Sequence, residues 1–187
     1  ASDDYGKDLA SVENLLKKQQ LIEADIAAHQ DRINEMKQQA DSLLESDQFQ
    51  GQRIAERSKA ISDRYDRVKQ MAENRRDKLN KALNVHQFFR DIDDEESWIK
   101  EKKLLVSSDD YGRDLPGVKN LRRKHRRIDT ELASHEPAVT LVKQKGAELL
   151  RSAKAAGIPE EHIKRRMDDL ENSWGQIRDL TGDRDRK

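Results

Sequence analysis

The sequence of 187 residues contains no cysteine. Disulfides, thiolate nucleophiles and cysteine-ligated zinc are therefore excluded, and the absence suits a reducing cytosol. Aromatic residues make up only 4% and hydrophobic residues 34%, against 40% charged. So few large apolar groups cannot fill a thick globular core. They suit either disorder or long helices that share narrow apolar seams. An excess of one charge is missing too, since 37 Lys and Arg balance 37 Asp and Glu. A nucleic-acid surface usually carries a basic excess, so no nucleic-acid partner is expected. No apolar run approaches the roughly 20 residues that span a bilayer, so no direct transmembrane segment is expected. There is no signal-peptide pattern at the start. The chain opens on Ala1-Ser2-Asp3-Asp4, as if cut from something longer.

What is present is an internal repeat. Ser-Asp-Asp-Tyr-Gly-Lys-Asp-Leu at 2–9 recurs, with Arg for Lys, at 108–115. The offset of 106 residues holds without a gap from Ser2 to Ser46, and then grows to 109. At the larger offset Ile54 meets Ile163, Ile61 meets Leu170, Tyr65 meets Trp174 and Val68 meets Ile177. The three extra residues of the second copy fall near Ala155-Ala156-Gly157, where a loop is expected. A unit of this length is too long for helix-pair repeats of roughly 34 to 47 residues. It has room for three helices of about 30 residues each.

Periodicity decides for helices over disorder. Val12, Leu15, Gln19, Ile22, Ile26, His29, Ile33, Met36, Ala40 and Leu43 alternate spacings of three and four. Val118, Leu121, His125, Ile128, Leu132, His135, Val139, Val142, Gly146 and Leu149 repeat the spacing in the second copy. This is a sustained heptad seam, with the charges left on the wet faces. Asp8 and Asp114 are the candidate N-caps, and Pro116 then falls in a first turn. Pro137 lies mid-helix and predicts a kink or local distortion, whereas the first copy has Asp31 there. Gly51 is expected to be the loop before the next helix, matching Gly157. From Gly51 to Gly112 there is no Gly or Pro. Such a stretch predicts one helix of about 90 Å that joins one bundle to the next, giving a semi-rigid rod.

Several segments then resemble the spectrin-repeat family. Phe88-Phe89-Arg90-Asp91 with Trp98-Ile99-Lys100-Glu101-Lys102 resembles the first helix of such a repeat. Asp110-Tyr111-Gly112-Arg113-Asp114-Leu115 resembles the following loop. Leu121 to His125 and Leu132 to Glu136 resemble the second helix, and Trp174 the aromatic position of the third. The wording is most like the non-erythroid sort of the α-type branch. The resemblance implies an all-α fold of tandem three-helix, left-handed coiled-coil bundles joined by a continuous helix. It implies an elastic rod in a cortical, cytoplasmic membrane skeleton, cross-linking actin through lateral, antiparallel pairing with a β-spectrin-like chain.

In this register residues 1–78 form a partial repeat with its second and third helices only, and 79–187 a complete one. The missing first helix leaves Ile22, Ile33, Ile61 and Tyr65 partly exposed, which motivates a homodimer or helix exchange. Expected core residues are Trp98, Trp174, Tyr65, Leu121, Ile128, Leu132, His135, Ile163, Leu170 and Ile177. Expected residues of the inter-repeat helical linker are Ala72, Arg75, Leu79 and Leu83.

No catalytic, cofactor-binding or metal-binding residues are expected, and the chain is not expected to be an enzyme. His29, His86, His125, His135 and His162 form no His-x-x-x-His pair. Asp109-Asp110 and Asp168-Asp169 read as loop and surface charge, because neighbours on a helix point apart. The basic run from Arg122 to Arg127 motivates an alternative function, a protein- or lipid-docking module within the rod.

Overall fold

The computed structural model describes residues 3–107, 115–156 and 159–185. Among them the regular elements are four α-helices: α1 (Leu9–Ser46), α2 (Gln48–Val106), α3 (Leu115–Ala156) and α4 (Glu160–Asp185). The fold is all-α. The chain divides into unit 1, Ala1–Leu83, and unit 2, Asn84–Lys187. Helix α2 supplies residues 48–83 to unit 1 and 84–106 to unit 2, as one uninterrupted helix.

Asp8 caps α1: its carboxylate accepts the Ser11 backbone N–H at 2.7 Å and satisfies one of the free first-turn donors. The matching Asp114 lies outside the described residues. Only Asp47 separates α1 from α2. Its N–H donates to the Leu43 carbonyl at 2.9 Å, closing α1. Its side chain accepts from Phe49 N–H at 3.2 Å and Gln50 N–H at 3.3 Å, opening α2. Gly51 is not the loop that its sequence position predicts. It is helical and buried, and a Cβ there would lie 2.4 Å from Leu44 Cα. The glycine is needed where two helices cross this closely, and the chain reverses at Asp47 instead.

In unit 1 α1 runs antiparallel to residues 48–83 of α2, and the heptad seam splits into two rows. Val12, Gln19, Ile26, Ile33 and Ala40 face Ser58, Tyr65, Ala72 and Leu79, and these residues are buried or half-buried. Two hydrogen bonds fix the register: Gln19 Nε2 donates to the Ala72 carbonyl at 2.7 Å, and Tyr65 OH to the Ile26 carbonyl at 2.5 Å. The repeated Asp-Tyr-Gly motif docks on the same pair. Asp4 accepts the Gly6 N–H at 3.0 Å, and Gly6 takes a φ of 88°, which favours glycine. The Tyr5 ring lies 5.6 Å from the Arg75 guanidinium and 5.6 Å from Lys78 Nζ.

Unit 2 is a three-helix bundle. Residues 84–106 of α2, α3 and α4 enclose a core of Phe88, Ile92, Ile99, Val106, Ile128, Leu132, Val139, Val142, Ile163, Leu170, Trp174 and Ile177. Helix α3 runs unbroken through Pro137. The proline is exposed, and so is Ala133, whose carbonyl has lost its i+4 donor. A carbonyl on a solvent-facing side of a helix can be hydrated in place of its lost bond, so a proline on that side need not end the helix.

Candidate interaction surface

The second heptad row of unit 1 is an open apolar face. Ile54, Ile61 and Val68 on α2 are 39%, 41% and 50% exposed, and Ile22 and Leu43 on α1 flank them. Their counterparts Ile163, Leu170 and Ile177 in unit 2 are each 0% exposed. The difference is a helix: in unit 2, residues 84–106 cover this face. Among the described residues, nine of the thirteen exposed large hydrophobic residues belong to unit 1. Ile22, Leu43, Ile54, Ile61 and Val68 are five of these nine, so the exposed apolar side chains gather along this row as well as in unit 1 generally. Beside it, Glu23, Ile26, Tyr65, Lys69 and Arg76 line a groove of about 460 Å³ on unit 1, where Glu23 and Arg76 pair at 3.1 Å.

Unit 2 places the expected core residues as follows. Ile163, Leu170 and Ile177 are fully buried, and Trp174, Ile128 and Leu132 nearly so. Trp98 is half-buried against the core cluster. It stacks on His135 with ring centroids 3.9 Å apart and planes 6° from parallel. His135 Nε2 also pairs with the Glu95 carboxylate. Leu121 is half-buried and lies outside the core cluster. In unit 1 Tyr65 and Ala72 are half-buried and Leu79 is fully buried, while Leu83 is half-buried. Arg75 reaches back to the Asp4 carbonyl at 3.0 Å, a role that its place in the helical stretch does not reveal.

The acidic run on α2 is not simply wet surface. Asp93 and Glu96 pair with Arg166 of α4, Asp91 with Lys145 of α3 at 3.6 Å, and Glu95 with His135. Burial works against the charge on Arg166, but the hydrogen bond to Asp93 and the carboxylates of Glu96 and Asp169 override it and raise its pKa. Near the other end of the bundle Lys102 Nζ lies 2.5 Å from Glu131, which also accepts from Arg127 at 3.0 Å. The hydrogen bond from Lys102 leads in holding the Glu131 carboxyl below the usual carboxylate range, against a smaller opposing effect of burial.

Gln19 is a buried, register-fixing polar side chain that an apolar pattern does not find. Its only sequence signal is a polar residue in a seam position. Among the described residues no group of three or more His, Asp or Glu is arranged to hold a metal ion, and no helix is long and apolar enough to cross a membrane.

A family profile for the spectrin repeat matches residues 1–81 and 83–187. The erythrocytic spectrin alpha chain 1 of Mus musculus is 41% identical over 180 residues, which cover 96% of this chain and 7% of that protein. The spectrin beta chain of Drosophila melanogaster is 35% identical over 185 residues, with coverage of 96% and 8%. The erythrocytic spectrin beta chain of Mus musculus is 31% identical over 182 residues, again with coverage of 96% and 8%. The chain thus spans less than a tenth of the length of these relatives. It carries the two-copy pattern, the all-helical fold and the family profile together, and it belongs to the spectrin-repeat family.

Proposed function

We propose that the chain is a structural, elastic rod segment of a cytoplasmic membrane skeleton, spacing and cross-linking actin filaments as part of an assembly of α- and β-type spectrin chains. The observation that carries this reading is helix α2. Its 59 residues supply the last helix of unit 1 and the first helix of unit 2. A hydrogen-bonded helix between repeats resists free hinging, and it couples the stability of neighbours. We assign the repeats to 1–78 and 79–187, with Ala72, Arg75, Leu79 and Leu83 in the helical link.

The test is Ala82→Pro, placed in that helix. Both tryptophans, Trp98 and Trp174, belong to unit 2, so their fluorescence follows unit 2 while far-UV circular dichroism follows the whole chain. The substitution is expected to lower the unit 2 midpoint in urea and to separate the two transitions. Unchanged curves would mean that the helix does not couple the repeats.

The open face of unit 1 supports a second element of the reading, a partner helix. A segment patterned like residues 84–106 fits it, because unit 2 buries the matching residues with that segment. In isolation the face favours a homodimer or helix exchange, and in the full assembly an antiparallel β-type chain lies alongside. Light scattering is expected to give a mass that rises with concentration. A constant monomer mass would remove self-association from the proposal.

A further inference from the structure

Tyr5 is clamped at its ring and idle at its hydroxyl. The half-buried ring lies 5.6 Å from the Arg75 guanidinium and 5.6 Å from Lys78 Nζ, two cations nearly one turn apart on α2. Arg75 also donates to the Asp4 carbonyl at 3.0 Å, which holds the residue beside Tyr5 against the helix. Among the described residues the Tyr5 hydroxyl has no hydrogen-bond partner. Tyr65 is the contrast, since its hydroxyl donates to the Ile26 carbonyl within the helix pair.

The two cations go with the tyrosine. At the offset of 109 residues, positions 73–78 match 182–187. Glu73, Asn74, Arg76 and Asp77 meet Gly182, Asp183, Asp185 and Arg186, so four of the six positions change. Only Arg75 and Lys78 meet their like, at Arg184 and Lys187. Tyr5 meets Tyr111, with Asp-Asp before it and Gly after it in both copies. A solvated helix face has no reason to keep two positions of six, and the two kept are those beside the ring.

We infer that Tyr5 is a phosphorylation site, and that Arg75 and Lys78 receive the phosphate and fasten the loop to α2. Residues 3–8 stand outside any helix, so the acceptor can be presented to a kinase cleft without unwinding one. Asp3 and Asp4 are exposed just before it, and carboxylates there suit a basic substrate groove. In the transfer the phenol oxygen bonds to the γ-phosphorus of ATP and the bond from that phosphorus to the bridging oxygen breaks. ADP leaves, and the phenol proton passes to the kinase's catalytic carboxylate. The product carries a charge of about −1.5 to −2 at neutral pH, with three acceptor oxygens. Asp3 and Asp4 repel it, and the two cations offset that repulsion. Arg75 uses one N–H on Asp4, and a guanidinium has five, so it can hold both. Lys78 stands little more than one turn before Leu83, where unit 1 ends. The phosphate therefore ties the start of the chain to the last turns of unit 1 and raises that unit's resistance to unfolding. None of this depends on what the rod spans or cross-links.

The experiment uses the full chain carrying Tyr111→Phe, with ATP and a tyrosine kinase catalytic domain that favours acidic residues before its acceptor. Mass spectrometry is expected to place phosphate on Tyr5 and not on Tyr65. Phosphorus NMR then follows the titration of that phosphate. Its second pKa is expected below the value of about 6 for a free phosphate ester, because two cations favour the dianion. The thermal midpoint of unit 1, read by far-UV dichroism, is expected to rise by about 4 °C. In Arg75→Gln with Lys78→Gln, compared with and without phosphate, both shifts are expected to vanish. An unmodified Tyr5 overturns the inference. So does a midpoint that rises equally in the glutamine variant, which would place the gain elsewhere. The titration decides even if that variant is too unstable to use: a phosphate in the parent that titrates like free phosphotyrosine overturns the receiving role of Arg75 and Lys78.

Discussion

Ile61 and Leu170 hold the same place in two copies of one pattern, yet Leu170 is fully buried and Ile61 is 41% exposed. Helical residues 84–106 cover this face in unit 2, where Leu170 lies. Removing buried methyl groups costs both transfer energy and a cavity, whereas an exposed side chain leaves no cavity. Leu170→Ala is expected to destabilise unit 2 by about 2–5 kcal/mol. Ile61→Ala is expected to cost about 1 kcal/mol or less in isolated unit 1, near the range of surface substitutions. Urea denaturation followed by tryptophan fluorescence and far-UV dichroism checks both.

The histidines give a second paired comparison. His135 stacks on Trp98 and pairs with Glu95, while its counterpart His29 is exposed and hydrogen-bonds within its own helix to the Asp25 carbonyl, 2.8 Å away. His135→Ala removes a ring stack and leaves the largely buried Glu95 carboxylate without its partner, an expected loss of about 1–3 kcal/mol. His29→Ala is expected to stay within about 0.5 kcal/mol. The tryptophan emission of unit 2 is expected to shift in the first variant and not in the second.

Two glycines mark close approaches of different kinds. At Gly51 an added Cβ meets the Leu44 backbone, which cannot move aside. Gly51→Ala is expected to lose about 1–3 kcal/mol in thermal unfolding, despite the better helix propensity of alanine. At Gly146 the added Cβ lies 2.5 Å from Met167 Sδ and 2.8 Å from the Phe88 ring. Unit 1 resolves the same site the other way, with Ala40 opposite Ser58. Gly146→Ala with Met167→Ser is therefore expected to be less damaging than the sum of the single changes, by roughly 1 kcal/mol in a double-mutant cycle.

Glu131 gives unit 2 an acid-sensitive tie. Its carboxyl is held below the usual range in the fold, first by Lys102. A lowered folded-state pKa adds stability that is present above the pKa of the unfolded chain, about 4.3 for glutamate, and lost as pH falls through the lowered value. Glu131→Gln is expected to flatten the loss of unit 2 stability in that acidic window. An acid-unfolding profile as steep as the parent's would show that the tie lies elsewhere.

Most of the fold is readable in the residues. The heptad spacing of Val12 to Leu43 and of Val118 to Leu149 fixes long helices, because nothing else presents one face at three-and-four intervals. The absence of Gly and Pro after Gly51 fixes the continuous α2. Pattern alone does not separate the two rows of that seam. Ile26 and Ile22 are equally apolar, and only three-dimensional placement shows that one meets Tyr65 while the other meets solvent. Gly51 misleads for a related reason. Glycine marks both turns and tight crossings, and here Asp47 makes the turn. The charged runs are the least readable part. Asp91 to Glu96 and Arg122 to Arg127 look alike as sequence, yet the first is mostly paired to neighbouring helices and the second largely is not.

The one-residue connection at Asp47 also sets a clock. Joining two helices across a single residue costs little loop-closure entropy, so α1 and α2 can begin to zip at Leu44 and Gly51 as soon as both are made. Contacts then spread away from the turn, through Tyr65 and Ile26 to Gln19 and Ala72, each step adding only a short increment of chain. Eight residues separate α2 from α3, and α4 must return across the whole bundle. Lengthening the turn with two glycines after Asp47 is expected to slow refolding of unit 1 in stopped-flow dichroism while leaving the tryptophan phase of unit 2 in place. The turn at Asp47 is thus expected to be the starting point of unit 1 in time as well as its corner in space.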